Sequence, residues 1–302
     1  MLCGLPLESC LRENATLMEQ VLFMNRRFPV KLFEVDQPSC KQDGICAAVC
    51  PMGIIAFQEG DYPTPADEAE ELCVRCGHCV TACPTRSLSH REMPVEQCPP
   101  IQKGLQLTAE QCEHFLRSRR SIRVYKDKPI PRTDLARLIE VARYAPSGHN
   151  SQCAEWLVMD NRDELRKLAA IVADWMRWML SNMSELALSM HMDKTLQRWE
   201  EGRDVILRDA PVVIIAHAEE GNRLAPSTCT IALTYLELAA TSMGLGCCWA
   251  GYFNAAATTF PPMKKALALP PGHLCFGSMM VGYPKFSYHR LPLRRPPLIS
   301  WR

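Results

Sequence analysis

Apolar positions along the last two thirds of the chain recur at helical and strand spacings. Leu135, Leu138, Ile139 and Ala142 share one face, which predicts a helix from about Thr133 that stops before Pro146. Thr108-Ala-Glu-Gln111 is a capping-box start for a preceding helix through about Arg117. Helices are also expected over 162–183 and 194–208. Strands are expected at Trp156–Asp160, Pro211–His217 and His273–Gly282. Ser227 or Thr228 is expected to cap a long helix ending at Gly244. The apolar stretch from Thr230 to Phe253 contains Glu237, Gly244 and Gly246 and lacks flanking positive charge. It reads as a buried helix followed by a turn, not a membrane span. Beyond Pro284 the chain is proline-rich and expected to be extended.

The first third is different. Residues 1–32 form an extension with a helical pattern around Leu17–Phe28. Residues 33–93 are punctuated by Cys and Pro and lack long periodic helices. A linker over 94–107, with Pro94, Cys98, Pro99, Pro100 and Gly104, precedes a second domain over 108–302. The 302 residues are 47% apolar and 22% charged, which excludes a mainly disordered chain, a collagen and a coiled-coil rod. The net charge of +1 gives no overall basic field for nucleic acid or an anionic membrane. It hides an asymmetry: residues 1–104 carry 9 Lys/Arg against 14 Asp/Glu, and residues 105–302 carry 25 against 19. Two modules with different ligands are implied. Glu8, Arg12 and Glu13 interrupt the place where a secretion signal would need an apolar core, so a cytoplasmic protein is expected. In a reducing compartment the 16 cysteines point to metal or redox chemistry rather than disulfides.

Their spacing narrows this. Cys73, Cys76, Cys79 and Cys83, followed by Pro84, give C-x2-C-x2-C-x3-C-P, the run of bacterial ferredoxins. A zinc ribbon is the competing reading. It needs two separated C-x2-C knuckles, and the closing Cys-Pro argues against it. Cys40, Cys46, Cys50 and Pro51 form a second copy with Asp43 in place of the second cysteine; Gly44 beside it suits a tight ligand loop. The segment from about Phe33 to Arg91 therefore resembles a two-cluster bacterial ferredoxin. That resemblance implies an exchange of the fourth cysteines. Cys40, Cys46 and Cys83, with or without Asp43, would hold one iron–sulfur cluster; Cys73, Cys76, Cys79 and Cys50 would hold a 4Fe–4S cluster. A carboxylate is a harder and weaker partner for iron than a thiolate. The Asp43 site is thus open to a 4Fe–4S cluster with an oxygen ligand, a 3Fe–4S cluster, or a loop aspartate that binds no iron.

The second domain has no G-x-G-x-x-G after a strand, so a Rossmann nicotinamide site is unsupported. Arg119-Arg120-Ser121-Ile122-Arg123 places three guanidiniums and a hydroxyl in five residues, a set suited to a phosphate. Together with Ala145-Pro-Ser-Gly-His-Asn-Ser-Gln152 and Gly244-Leu-Gly-Cys-Cys-Trp-Ala-Gly251, in this order, it resembles the nitroreductase family of FMN enzymes. The whole resembles a ferredoxin–nitroreductase fusion. This implies an α+β fold: a ferredoxin-like module, then a mainly antiparallel sheet flanked by helices, in a homodimer with FMN at its interface.

By motif position, Arg119, Ser121 and Arg123, with Arg120, would hold the FMN phosphate and ribityl chain. Pro146, Ser147 and Asn150 would contact flavin, the Pro-Ser pair from the partner subunit. The backbone N–H of Ala250 or Gly251 would face flavin N5, and Arg290 and Arg294 would complete the phosphate site. The resemblance implies an FMN oxidoreductase that takes electrons from reduced ferredoxin or a similar donor through the clusters. Its acceptor would be a small nitro, quinone or related molecule. The alternatives are an NAD(P)H-driven reductase with structural or regulatory clusters, and an electron-transfer component for a protein partner. Cys153, Cys247 and Cys248 read as buried structural thiols and His149 as a loop residue. Trp175, Met176, Trp178, Met179 and Met183 read as core or dimer packing.

Overall fold

The computed structural model describes residues 31–302; the helix expected around Leu17–Phe28 lies outside them. The chain divides into two compact units between Gln102 and Lys103. The division falls within the stretch 94–107, which holds two 3-10 turns, Val95–Gln97 and Lys103–Leu105.

In the first unit, β1 (Phe33–Val35) pairs antiparallel with β4 (Leu88–His90), and β2 (Ile55–Ala56) with β3 (Thr64–Pro65). Between them lie three one-turn helices: α1 (Ile45–Ala48), α2 (Ala69–Leu72) and α3 (His78–Ala82). Helices this short have no stability of their own. The core is correspondingly small, built on Leu32, Phe33, Ile54, Ile55, Val80 and Leu88. A core of this size ordinarily needs a covalent or metal staple. The two cysteine runs are copies in backbone as well as in sequence. Left-handed conformations recur 33 residues apart at Gln42 and Arg75, at Gly44 and Gly77, and at Gly53 and Arg86. Gly44 and Gly77 are the N-caps of α1 and α3, with φ of 68° and 73°.

The second unit is a four-stranded, fully antiparallel sheet in the order β5-β6-β8-β7. The strands are β5 (Glu155–Met159), β6 (Val212–Glu219), β7 (Gly246–Trp249) and β8 (His273–Gly282). The first unit's successor helix, α4 (Ala109–Ser118), carries the expected Thr108–Gln111 capping box. α5 (Arg132–Ala142) and α9 (Ala225–Ser242) cover one face of the sheet through Leu135, Leu138, Leu233 and Leu236. α6 (Arg162–Asn182), α10 (Gly251–Thr259) and α11 (Pro261–Leu267) cover the other through Val172, Met176, Phe253 and Met263. Each fully buried Leu or Phe contributes about 1.5–3 kcal/mol to holding these layers. Asn161 caps α6 by accepting from the N–H groups of Asp163 and Glu164.

Three expectations change. The helix expected over 194–208 is α8 (Met192–Glu200), preceded by a short unforeseen α7 (Ser184–Ser189). It stops because Gly202 turns left-handed, and the Asp204 carboxylate then takes the N–H groups of Ile206, Leu207 and Asp209. α9 starts at Ala225 with Leu224 as N-cap and Pro226 in its first turn, so neither Ser227 nor Thr228 caps it. The turn expected after it is brief: Gly244 reverses the chain and Gly246–Trp249 pairs along β8. Four residues are too few for alternation to reveal a strand. Trp175, Met176 and Met179 are core, whereas Trp178 and Met183 are nearly half exposed at 47% and 46%.

Candidate functional site

The first unit gathers its cysteines into two sets. Cys50, Cys73, Cys76 and Cys79 line one cavity, with Ile54, Ile55 and His90 completing its wall. Cys40, Cys46 and Cys83 line a second, together with Asp43, Lys41, Thr85 and Ser87. Each run thus gives its fourth cysteine to the other set. The local reason is that α1 and α3 contain the third cysteines of their runs, Cys46 and Cys79, and lead the chain on to Cys50 and Cys83, away from the loop that precedes each helix. Both loops need glycine at the helix start. A Cβ on Gly44 would stand 2.6 Å from Phe57 Cε1, and one on Gly77 would stand 2.3 Å from Met93 Sδ.

The polar surroundings of the two sets differ. Arg75 N–H donates to Cys73 Sγ at 3.4 Å, and His90 Nε2 lies 3.7 Å from the same sulfur. Burial pushes Cys79 up to about 11. Around Cys83, the Ser87 hydroxyl lies at 3.2 Å, the Thr85 hydroxyl at 3.6 Å, and Ser87 N–H donates at 3.3 Å. Burial raises the Cys83 pKa, but these bonds and those from the Leu88 and Ser87 backbone outweigh it and bring it down to about 7. In place of a Cys76 equivalent, Asp43 Oδ1 accepts the Ile45 N–H at 3.2 Å. The same side chain also lines the cavity wall. The donor sets, four thiols and three thiols plus a carboxylate, fit cubane clusters.

In the second unit the arginine run lies beside β7, where Ile122 N–H donates to the Cys247 carbonyl at 2.8 Å. A Cβ on Gly246 would meet Ile122 Cγ1 at 2.2 Å, so glycine lets this segment lie flat on the strand. Arg119 does not project a free guanidinium: it donates to Glu237 Oε1 at 2.8 Å. Glu237 falls on the buried face of α9 at 6% exposure, and the pair is what makes a carboxylate tolerable there. Arg119 also reaches Ser121 Oγ at 3.5 Å, and Arg123 reaches the Ser121 carbonyl at 3.5 Å. Arg120 stacks over Tyr288 at 5.7 Å. Arg290 and Arg294 are exposed on the tail.

Burial raises the Cys248 thiol, and Arg123, Arg208 and Arg119 oppose that shift. These guanidiniums therefore share one neighbourhood. Arg208 was not foreseen, because it stands in the segment expected to be helix; it has a left-handed backbone there, with φ 59°. Cys247 is pushed well up by burial, and at neutral pH both are inert thiols.

Of the two residues expected to present an N–H to flavin, Ala250 donates its own to the Ser278 carbonyl at 3.0 Å. Gly251, the first residue of α10, keeps its N–H outside helical pairing, with open space where a side chain would be.

Pro146, Ser147 and Asn150 lie elsewhere. Their loop is held by Gln152 N–H to Ser147 Oγ at 3.1 Å and by Asn150 N–H to the Ser147 carbonyl at 3.0 Å. A Cβ on Gly148 would meet Leu224 at the start of α9. The Arg119 partner Glu237 is 13 residues further along that helix, about 20 Å away at 1.5 Å per residue. One chain therefore separates the phosphate-type residues from the Pro-Ser loop. Ser151 Oγ in that loop is buried without a hydrogen-bond partner, and His149, Asn150 and Gln152 all have positive φ. Such strain and an unsatisfied hydroxyl are typical of a ligand-binding loop. The cation cluster, the open Gly251 N–H and this loop fit an anionic, planar cofactor.

Fold and cysteine arrangement together define an oxidoreductase with an iron–sulfur module. The nitroreductase family profile matches residues 116–283, and a 4Fe-4S dicluster domain profile matches residues 38–88. The chain belongs to the nitroreductase family. It is 27% identical over 176 residues to an Archaeoglobus fulgidus protein provisionally named NADH dehydrogenase/NAD(P)H nitroreductase, covering 58% of this chain and 87% of that one. Among solved structures, a Bacteroides fragilis nitroreductase with bound FMN matches at 24% identity and a TM-score of 0.51, over 63% of this chain and 98% of that one. A Desulfitobacterium hafniense nitroreductase with bound FMN matches at 22% and 0.51, over 65% and 99%. No described helix is long and apolar enough to cross a membrane.

Proposed function

We propose that this protein is a cytoplasmic FMN-dependent oxidoreductase that takes electrons from reduced ferredoxin or a similar low-potential donor and reduces a small organic acceptor such as a nitro compound or quinone. The exchange of Cys50 and Cys83 between the two cysteine sets carries this reading, because it is the ligand pattern of an electron-relay module rather than of a zinc knuckle. When bound, the clusters supply one-electron transfer and FMN supplies the coupling to two-electron reduction. The chain supplies the rest. Cys50, Cys73, Cys76 and Cys79 hold a 4Fe–4S cluster, and Cys40, Cys46 and Cys83 hold the second. Asp43, which lines the same cavity and accepts the Ile45 N–H, would be the candidate fourth ligand.

Arg119, Ser121 and Arg123, with Arg208 near them, bind the FMN phosphate end. Glu237 fixes the Arg119 guanidinium and offsets one positive charge. The Gly251 N–H offers a donor to the ring. Pro146, Ser147 and Asn150 act from the partner subunit in a homodimer. Their distance along α9 from Glu237 supports this, as do the exposed tail residues Leu293, Leu298 and Trp301 at 98%, 103% and 88%, which need a cover.

Cofactor content and activity test the reading. Anaerobically purified protein should contain FMN, iron and sulfide in the amounts of one flavin and two clusters per chain. It should sediment as a dimer and reduce a nitroaromatic or quinone with reduced ferredoxin as donor. A flavin-free monomer, or turnover with NADH but none with ferredoxin, would refute it.

A further inference from the structure

A separate group of ligating side chains lies at one end of the second unit's sheet, contributed by three strands. Glu155 opens β5, His217 is near the end of β6, and His273 opens β8. One donor atom from each lies within 4.8 Å of the others. The two imidazoles approach at Nδ1 to Nδ1, 3.0 Å apart, with their rings inclined at 63°. His217 is 4% exposed; His273 is half-buried and Glu155 exposed, so the group has a buried floor and an open mouth.

The pleat explains how the three converge. Glu155 is directly opposite His217 in the β5–β6 ladder, so both point to the same face. On that face β6 also presents Val213 and Ile215, and β8 presents Met280. Strict alternation along β8 from Met280 would put His273 on the opposite face, with Met279 and Val281. It does not, because the β6–β8 register shifts between Ala216 and His217: Ala216 pairs with Gly277 but His217 with Cys275. Phe276 is the extra residue of this bulge. It reverses the alternation, so that Cys275 and His273 join the His217 face. Bulges commonly re-aim a side chain beside a functional site. Cys275 shares the face, but its thiol donates to Asn254 Oδ1 at 3.3 Å, away from the imidazoles.

We infer that Glu155, His217 and His273 form a binding site for one divalent transition-metal ion of the zinc class, with a water-accessible fourth position. Two imidazoles and one carboxylate are the donors such ions prefer over Mg²⁺ or Ca²⁺. Two nitrogens each ~2.1 Å from a tetrahedral ion stand ~3.4 Å apart, and the 3.0 Å separation here reaches that with a shift of a few tenths of an ångström. The ion would tie the ends of β5, β6 and β8 together. It uses none of the residues assigned to the clusters or the flavin.

The experiment uses the purified holoprotein with its iron–sulfur and flavin absorption intact. Zn²⁺ is titrated by calorimetry, and Co²⁺ serves as a spectroscopic probe. The expected result is one saturable ion per chain, a Co²⁺ spectrum without thiolate charge-transfer absorption, and a higher thermal midpoint with Zn²⁺. Affinity should fall by roughly 100-fold in His273→Asn and by at least about 10-fold in Glu155→Gln. Glu155 is exposed, so its variant keeps the test decisive if His273→Asn fails to fold. No saturable ion, a thiolate-type Co²⁺ spectrum, or unchanged affinity in Glu155→Gln would overturn the inference.

Discussion

The two cysteine runs share a backbone and differ in one donor. Gln42, Gly44 and Gly53 repeat the left-handed conformations of Arg75, Gly77 and Arg86, and α1 repeats α3. Where the second run has Cys76, the first has Asp43, whose carboxylate is already used by the Ile45 N–H. The two loops therefore place Asp43 and Cys76 at equivalent backbone positions, and they differ there only in the donor the side chain offers. The same contrast appears in the polar environment. Cys83 is surrounded by hydroxyl and amide donors, whereas Cys79 is surrounded by apolar burial.

The most direct way to sharpen this comparison is Asp43→Cys. It should convert the first site to a four-thiolate 4Fe–4S cluster and make the two sites spectroscopically alike. EPR and iron counts on anaerobic protein check it; an unchanged spectrum would remove Asp43 from the ligand set.

A comparable contrast separates the first unit from the second. The two cysteine sets were legible in sequence because three candidate ligands of each follow one another at three-residue spacing, with the fourth supplied by the other run. The candidate flavin residues are spread over more than a hundred positions. The arginine run and the Gly244–Gly251 stretch mark its parts, yet nothing local to Arg119 announces Glu237, 118 positions away. Nor could spacing show that Ala250 spends its N–H on Ser278, or that Arg208 leaves a helix pattern broken by Gly202 and Asp204. α4, α5, α6, α9 and the three longer strands were legible from the sequence pattern, whereas α7, α10 and α11 were not. β7 was not, since its glycines look like a turn and its pairing with β8 is tertiary.

That long-range pairing makes the second prediction. Arg119→Ala should destabilise the second unit by about 3 kcal/mol, because it strands a buried carboxylate. Glu237→Gln should cost only about 1 kcal/mol, because the amide oxygen still accepts from Arg119. Denaturant unfolding of both variants measures the difference, and equal costs would contradict the role given to Glu237.

Within the first unit, Gly44→Ala should cost about 2 kcal/mol, since it combines a left-handed backbone with the Phe57 ring in the way. Gly53→Ala meets nothing within 4 Å and should cost about 1 kcal/mol, as its counterpart Arg86 shows that a side chain is accommodated there. Thermal midpoints of cluster loss should rank the two in that order.

The smallest effect is on thiol reactivity in cluster-free protein. With its pKa lowered to about 7, Cys83 is substantially thiolate at neutral pH, whereas Cys79, raised to about 11, is not. Cys83 should alkylate faster near neutrality. The advantage should disappear as pH falls through about 7, where Cys83 takes up its proton. Mass-spectrometric mapping of the modified residue checks both statements.

The central claim is that the cysteine unit feeds the flavin unit. Anaerobic stopped-flow spectroscopy of flavin reduction tests it, with reduced ferredoxin, NADPH and NADH offered separately to the native protein and to a Cys76→Ser/Cys79→Ser variant that retains FMN. The account predicts rapid reduction by ferredoxin in the native protein and its loss in the variant. Equal reduction of both forms by NADPH or NADH, with no response to ferredoxin, would contradict it.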